Sequence, residues 1–350
     1  MKESSPSVHE WKGLYDAAVR FGELESWDWL YDSDVFGVQN PANKEIGYCC
    51  IMGNLGQMFG LAVYLGAEGL EGYLKIQSGQ ISPERVNPIE ALMLQKCLMA
   101  SFEDRGVLQR TDLQVIRRLR LKFRGRHAWP FFRSHRPGYH PWYVTKDEAR
   151  YLTLALQQAT EVALRFKEDP ELLTPPKGNC YFVRVPEKEG KRWKWQDAWL
   201  EPAPVAREER EEGDATPIVD EVRLQRIRNI MERQRGVWEG DFFYAPSPVQ
   251  ERGDRPYYPY VIFWIEGRSG MILKTDLVKP SEYILEFPER FLSLIEQVGS
   301  LPREVRVKKE EAFDLLEPVA SRLKIKLGRV RRLKALENAQ ASMFEFFGTS

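Results

Sequence analysis

Trp11, Leu14, Tyr15, Ala18 and Phe21 recur at helical spacing on one face. Ser7-Val-His-Glu10 in front of them has capping-box spacing, in which the Ser and Glu side chains each take up an otherwise unpaired backbone N–H. The pattern predicts a second helix opening at Asn87-Pro-Ile-Glu90 and ending near Gly106. A third opens at Thr145-Lys-Asp-Glu148, with Leu152, Ala155, Ala159, Val162 and Phe166 as its apolar stripe and Asp169-Pro170 as its stop. A fourth opens at Thr216-Pro217, with Asp220 and Glu221 early, Arg233 and Arg235 late, and Gly236 ending it, the charge order a helix dipole favours.

Between the first two helices the period shortens. Asp34–Val38, Gly47–Met52 and Phe59–Leu65 read as strands separated by Asn, Pro and Gly, with Glu68–Ile76 as a short helix after them. Asn179–Val185 and Lys194–Leu200 read as a hairpin turning near Gly190. Residues 203–216 hold little to bury and predict a charged linker, so the expected domains are 1–202 and 217–350. In the second domain, strands at Trp238–Ala245, Tyr260–Glu266 and Met271–Val278 precede a helix at Pro288–Val298. A strand at Val305–Lys308, a helix at Glu310–Leu323, a strand at Lys324–Leu327 and a helix at Val330–Phe347 follow. The fold class is α+β: a mixed N-terminal domain and a βββαβαβα C-terminal domain whose order resembles the ribonuclease-H-like fold. Asp34-Val-Phe and Asp241-Phe-Phe each begin a three-strand run that leads into a helix, which raises a duplication as one origin of the two halves.

Composition changes this picture little. Hydrophobic residues make up 43% of the 350-residue chain, enough for two cores, and no apolar run approaches the ~20 residues of a membrane span. Cys49, Cys50, Cys97 and Cys180 show no disulfide framework, and a reducing cytoplasm is the expected compartment. Charge changes it more. The chain balances 51 basic against 51 acidic residues, yet Leu113 to Lys146 runs 34 residues without an Asp or Glu while carrying nine Lys or Arg and seven aromatics. A balanced protein that gathers one sign of charge in one place presents it to something.

In that segment Arg117, Arg118, Arg120, Lys122, Arg124 and Arg126 alternate in part with Ile116, Leu119, Leu121 and Phe123, and Trp129, Phe131, Phe132, Arg133, Arg136, Tyr139, Trp142 and Tyr143 follow. Two arrangements fit. Either cations track a phosphate backbone while exposed aromatics stack on bases, or the aromatics are core and the Arg heads pair with acids such as Asp28, Asp32 or Asp34. A second basic face is expected where alternation sends Arg306, Lys308, Lys324 and Lys326 to one side of two neighbouring strands. His127, His135 and His140 match no zinc spacing, and neither a phosphate-binding Gly-rich loop nor a Gly-x-Ser-x-Gly elbow is present. A ribonuclease-H-like nuclease needs clustered carboxylates for two metal ions. Asp241 stands where the first belongs, but Lys308 and Lys309 occupy the place of the second.

Glu45-Ile-Gly-Tyr-Cys-Cys-Ile-Met-Gly-Asn-Leu-Gly56, continuing into Ala62–Gly66, is similar to the N-terminal domain of an uncharacterised bacterial protein family. Phe132–Trp142 resembles the same family's other distinctive string, and Arg255-Pro-Tyr-Tyr-Pro259 with Ser269-Gly270 resembles a domain of unknown function that accompanies it. The resemblance implies a bacterial two-domain protein and transfers no activity. The residues lead to a non-enzymatic binding or scaffold protein that holds an anionic partner, nucleic acid or an acidic protein, without membrane, metal or cofactor. Its anion-binding candidates are Arg126, Arg133, Arg136, Tyr139, Trp142, Arg306, Lys308, Lys324 and Lys326. The alternatives are a metal-dependent hydrolase or nuclease using Asp241 at an interdomain cleft, and a protein whose aromatic patch docks another polypeptide.

Overall fold

A computed structural model of the protein describes residues 4–79, 88–190, 192–205, 221–230, 232–233, 236–251 and 254–348. The chain divides into two compact units, Met1–Pro137 with Pro141–Ala206, and Gly138–His140 with Arg207–Ser350.

The elements of the first unit are α1 (Val8–Leu24), β1 (Phe36–Gln39), β2 (Ile46–Met52), β3 (Gly60–Leu65), α2 (Gly66–Gln77), α3 (Pro88–Met93), β4 (Cys97–Glu103), α4 (Arg110–Arg118), β5 (Trp129–His135), α5 (Lys146–Glu168), β6 (Tyr181–Glu189) and β7 (Arg192–Leu200). The strands form one sheet in the order β5-β4-β3-β2-β1-β6-β7, antiparallel throughout except that β1 and β6 run parallel. The capping box predicted for α1 is closed, and the predicted start of α5 closes one as well. Ser7 Oγ accepts from Glu10 N at 3.3 Å while Ser7 N donates to Glu10 Oε2 at 2.7 Å, and Thr145 and Glu148 repeat the exchange. The apolar stripes of these two helices cover one sheet face, burying Phe21 and Leu156 with Phe36, Ile51, Val63, Ala100 and Phe132. On the opposite face Tyr48, Cys50, Tyr64 and Cys97 pack with Leu70 and Tyr73 of α2.

One expectation is corrected here. The long helix predicted from Asn87 to Gly106 is the six-residue α3 followed by strand β4, with Asn87 itself outside the described residues. Inside the sheet β4 is buried on both faces, and such a strand reads as the same continuous apolar run as a buried helix. Helix α4, whose Leu113 and Ile116 share a face inside a run of charges, and strand β5 were not among the expected elements. Most of the predicted linker, residues 206–216, and the expected helix start at Thr216-Pro217 lie outside the described residues.

The second unit contains α6 (Glu221–Ile230), β8 (Glu232–Arg233), β9 (Val237–Tyr244), β10 (Tyr260–Glu266), β11 (Ile272–Val278), α7 (Tyr283–Val298), β12 (Ser300–Leu301), β13 (Glu304–Val307), α8 (Glu310–Leu323), β14 (Lys326–Arg329) and α9 (Lys334–Gly348). Its five-stranded sheet has the order β11-β10-β9-β13-β14, with an antiparallel β9-β10-β11 meander and parallel β9, β13 and β14. The main sheet and the helices α7 to α9 follow the βββαβαβα order expected from the sequence, while β8 and β12 pair separately. Trp238, Phe242, Ile262 and Trp264 face α7 and α8, whereas Phe243, Val261, Phe263 and Ile265 face α9.

The two sheets share a motif. Each has a three-strand meander whose first strand later gains a parallel neighbour, β3-β2-β1-β6 in one and β11-β10-β9-β13 in the other. The Asp-x-Phe strings are not equivalent points of it, because Asp34 precedes β1 while Asp241 lies inside β9.

Candidate functional site

The acid-free segment separates into cations that are paired and cations that are not. Arg133 sits on β5 between two rings, its guanidinium carbon 3.8 Å from the centroid of Phe131 and 4.6 Å from that of Tyr143. Its Nη1 and Nη2 donate to Asp112 Oδ1 at 2.9 Å and Oδ2 at 2.8 Å, and Nη1 also donates to Phe132 O. Both partners are buried, at 5% and 8% exposure. Arg133 is therefore committed to a two-pronged internal ion pair, which removes it from the surface expected of it. Its partner is Asp112 of α4, not Asp28, Asp32 or Asp34.

Arg136 is also paired, donating to Glu148 Oε1 at 2.8 Å, and Ser134 Oγ donates to the same oxygen at 2.9 Å. Burial alone raises the pKa of the Glu148 carboxyl, but bonds from Arg136, the Thr145 amide and Ser134 outweigh it and leave it below its usual 4.5. A carboxylate whose folded pKa is depressed contributes stability that is complete above the unfolded pKa and lost as pH falls through the folded one. Glu148→Gln is thus expected to lower the melting temperature at pH 7, and to lower it by less at pH 3. Melting curves of both proteins at the two pH values check it.

The remaining cations differ. Arg117, Arg118, Arg120, Lys122, Arg124 and Arg126 are all exposed, and among the described residues none of their side chains meets an acid, an acceptor or a ring. Local folding explains their presentation. α4 ends in a Schellman motif in which Leu121 N donates to Ile116 O at 3.1 Å and Arg120 N to Arg117 O at 3.0 Å, with Arg120 left-handed at φ 56°. Beyond it exposure alternates. Leu121 and Phe123 turn inward onto the core, Phe123 stacking at 6.1 Å on Tyr15, while Lys122 and Arg124 turn outward. The result is a strip of six cations in ten residues. Of the candidates named from sequence it includes Arg126 only.

Trp129, Phe131, Tyr139, Trp142 and Tyr143 are half-buried and Phe132 is buried, so no Phe, Tyr or Trp ring of the segment is an exposed stacking platform; the exposed His127 ring lies against Phe59, 5.2 Å between centroids. Trp142 pairs through its backbone with Ser134. Tyr139 belongs to the second unit, where it forms a bridge with Tyr257 and lies 5.6 Å from the Arg255 guanidinium.

The second basic face is dispersed. Arg306 Nε is 3.0 Å from Glu304 Oε1 and Lys326 Nζ is 3.5 Å from Glu304 Oε2, so one carboxylate serves both. Lys308 pairs with Glu337 at 3.2 Å. Lys324 is not in a strand, because β14 begins two residues later than its hydrophobic pattern suggests. It is the left-handed cap of α8, where Ile325 N donates to Ala320 O at 2.9 Å.

Asp241 is buried on the sheet face toward α9, with Oδ1 accepting from Phe242 N at 2.8 Å. Two residues before it Glu239 Oε2 accepts from Leu336 N at 3.0 Å in the first turn of α9, the place where a helix favours an anion. Lys309 donates to Phe242 O. Among the described residues no three His, Cys, Asp or Glu side chains gather closely enough to hold a metal ion. Burial pushes the Cys50 and Cys97 thiols up to about 12, and Cys49 is raised by the same cause, so these three stay protonated. No helix among the described residues is long and apolar enough to cross a membrane.

Residues 11–184 match a domain of unknown function, DUF7309, and residues 223–344 match a second, DUF6930. No curated protein matches the chain. Among solved structures, the HTLV-2 integrase catalytic core domain in complex with magnesium is similar in its trimeric and dimeric forms. These align with 32% and 31% of this chain and 68% and 67% of theirs, each at 18% identity and a TM-score of 0.25. The two matched domains together make this chain a member of an uncharacterised two-domain family, a DUF7309 domain followed by a DUF6930 domain.

Proposed function

We propose that the protein is a non-enzymatic binding protein that holds an anionic partner on the cationic strip of its first unit. The observation that carries this reading is the contrast within one segment: Arg133 and Arg136 are paired internally, while the six cations from Arg117 to Arg126 meet no acid among the described residues. Cations on alternate residues of an extended chain lie about 7 Å apart, and in water each such neighbour pair repels by about 0.6 kcal/mol before salt screening. Among the described residues nothing offsets that repulsion, and a bound polyanion would. The second unit, with its 3-2-1-4-5 strand order, is read as a ribonuclease-H-like scaffold in which Asp241 supports the sheet. Four free cysteines fit a reducing cytoplasm.

The test is retention on heparin, a generic polyanion. The protein is expected to bind at roughly 50 mM salt, where electrostatic contacts are strong. A variant carrying Lys122→Gln, Arg124→Gln and Arg126→Gln is expected to elute at clearly lower salt with an unchanged circular dichroism spectrum. Failure of the wild type to bind at that ionic strength would overturn the reading.

A further inference from the structure

Resting on that reading, we infer that the polyanion is duplex nucleic acid, gripped along its phosphate backbone without regard to sequence by the strip from Arg117 to Arg126. Four features of the strip select this partner. Its charges form a row, because Leu121 and Phe123 anchor the chain inward and leave Lys122 and Arg124 facing out on alternate residues. A row of like charges matches a polymer with a regularly repeated phosphate better than it matches an acidic protein surface. Five of the six cations are arginine, whose planar fork takes two phosphate oxygens at once. No acid occurs between Leu113 and Lys146 to accept the mixed charges of a peptide.

The fourth feature separates duplex from single strand. Binders of single strands stack unpaired bases on exposed aromatics. Here Phe123 packs against Tyr15 and Trp129, with ring centroids 6.1 and 5.8 Å away, every other Phe, Tyr or Trp ring of the segment is likewise half-buried or buried, and the His127 ring lies against Phe59. What remains is backbone contact, which positions a duplex without reading it. From Arg120 to Arg126 the strip spans at most ~20 Å, about six base-pair steps at ~3.4 Å each, so its contacts fall on one side of the duplex.

Arg120 makes the inference testable apart from stability. It occupies the left-handed position of the Schellman motif, where glycine is the residue best suited. Arg120→Gly is therefore expected to raise the melting temperature by roughly 2 °C while removing a phosphate contact. Lys324→Gly is the control: the same left-handed relief at the end of α8, in the other unit.

The experiment measures binding of the intact protein to two labelled 24-base-pair duplexes of unrelated sequence, and to one of their single strands, across a salt series. Equal affinity for the two duplexes, weaker binding of the single strand, and log K falling linearly with log salt are expected. Arg120→Gly should lessen that slope by about 0.9, and Lys324→Gly should leave it unchanged. Tighter binding of the single strand, a strong preference between the duplexes, or an unchanged slope in Arg120→Gly would overturn the inference. So would heparin retention without duplex binding, or binding to phosphatidylserine vesicles in its place, and both of those results leave the anionic-partner reading standing. No retention on heparin at all would remove both.

Discussion

Asp112→Asn is expected to cost the first unit about 3–5 kcal/mol, the loss typical when one member of a buried ion pair is removed. The substitution keeps the shape of the side chain and an oxygen able to accept from Gln109 N, which Asp112 Oδ2 caps at 2.9 Å. It removes the charge facing Arg133 and puts an amide donor against the guanidinium where Oδ1 accepted. That guanidinium is confined, since the Phe131 and Tyr143 rings pack on it and the β5 backbone fixes its root. Urea denaturation followed by tryptophan fluorescence gives the midpoint shift. A double replacement, Asp112→Leu with Arg133→Met, is expected to recover much of the loss, because matched apolar side chains avoid the desolvation that burying two charges incurs. A loss below ~1 kcal/mol in Asp112→Asn would show the pair behaving as an exposed one.

The second large effect is expected in the other unit. Gly240 and Trp264 are cross-strand partners, and the indole lies flat over the glycine. A Cβ at Gly240 would stand 2.2 Å from Trp264 Cζ3. The ring cannot lift away, because Phe287 and Phe291 stack on it with centroids 5.4 and 4.9 Å away. Gly240→Ala is therefore expected to cost about 3 kcal/mol, at the upper end for an overpacked core, and to perturb the emission of a fully buried tryptophan. A destabilisation within ~0.5 kcal/mol of zero would mean that the three-ring stack slides as a unit, contrary to close packing.

What the sequence revealed follows from where each signal resides. The caps of α1 and α5 are local exchanges between residues three apart, so Ser7-Glu10 and Thr145-Glu148 declare them without knowledge of the fold. The order of the second unit was legible because β9 and β10 are bounded by turn residues and α8 by a matching stripe. β4 was not, since Cys97–Glu103 owes its conformation to pairing with β3 and β5 on both sides. The candidate site divides in the same way. The alternation of Leu121 and Phe123 with Lys122 and Arg124 is local and readable. The fate of Arg133 depends on α4 returning Asp112 from 21 positions earlier in the chain, a tertiary fact with no local mark. The same limit applies to Arg306 and Lys326, whose shared Glu304 is found only through the β13–β14 register.

The parallel pairing of β1 with β6 has a consequence for how the chain is made. Gly37 finds its partner Val183 only after about 150 further residues have been synthesised, roughly ten to thirty seconds at ribosomal rates. Over that interval the meander from β1 to β5 assembles through hairpins and neighbouring contacts, but the outer side of β1 stays open. Phe36-Gly-Val-Gln39 bears no charge to deter a foreign strand. A ribosome that stalls before Tyr181 therefore displays an adhesive sheet edge to its neighbours, and translation through the β6–β7 hairpin is what seals it.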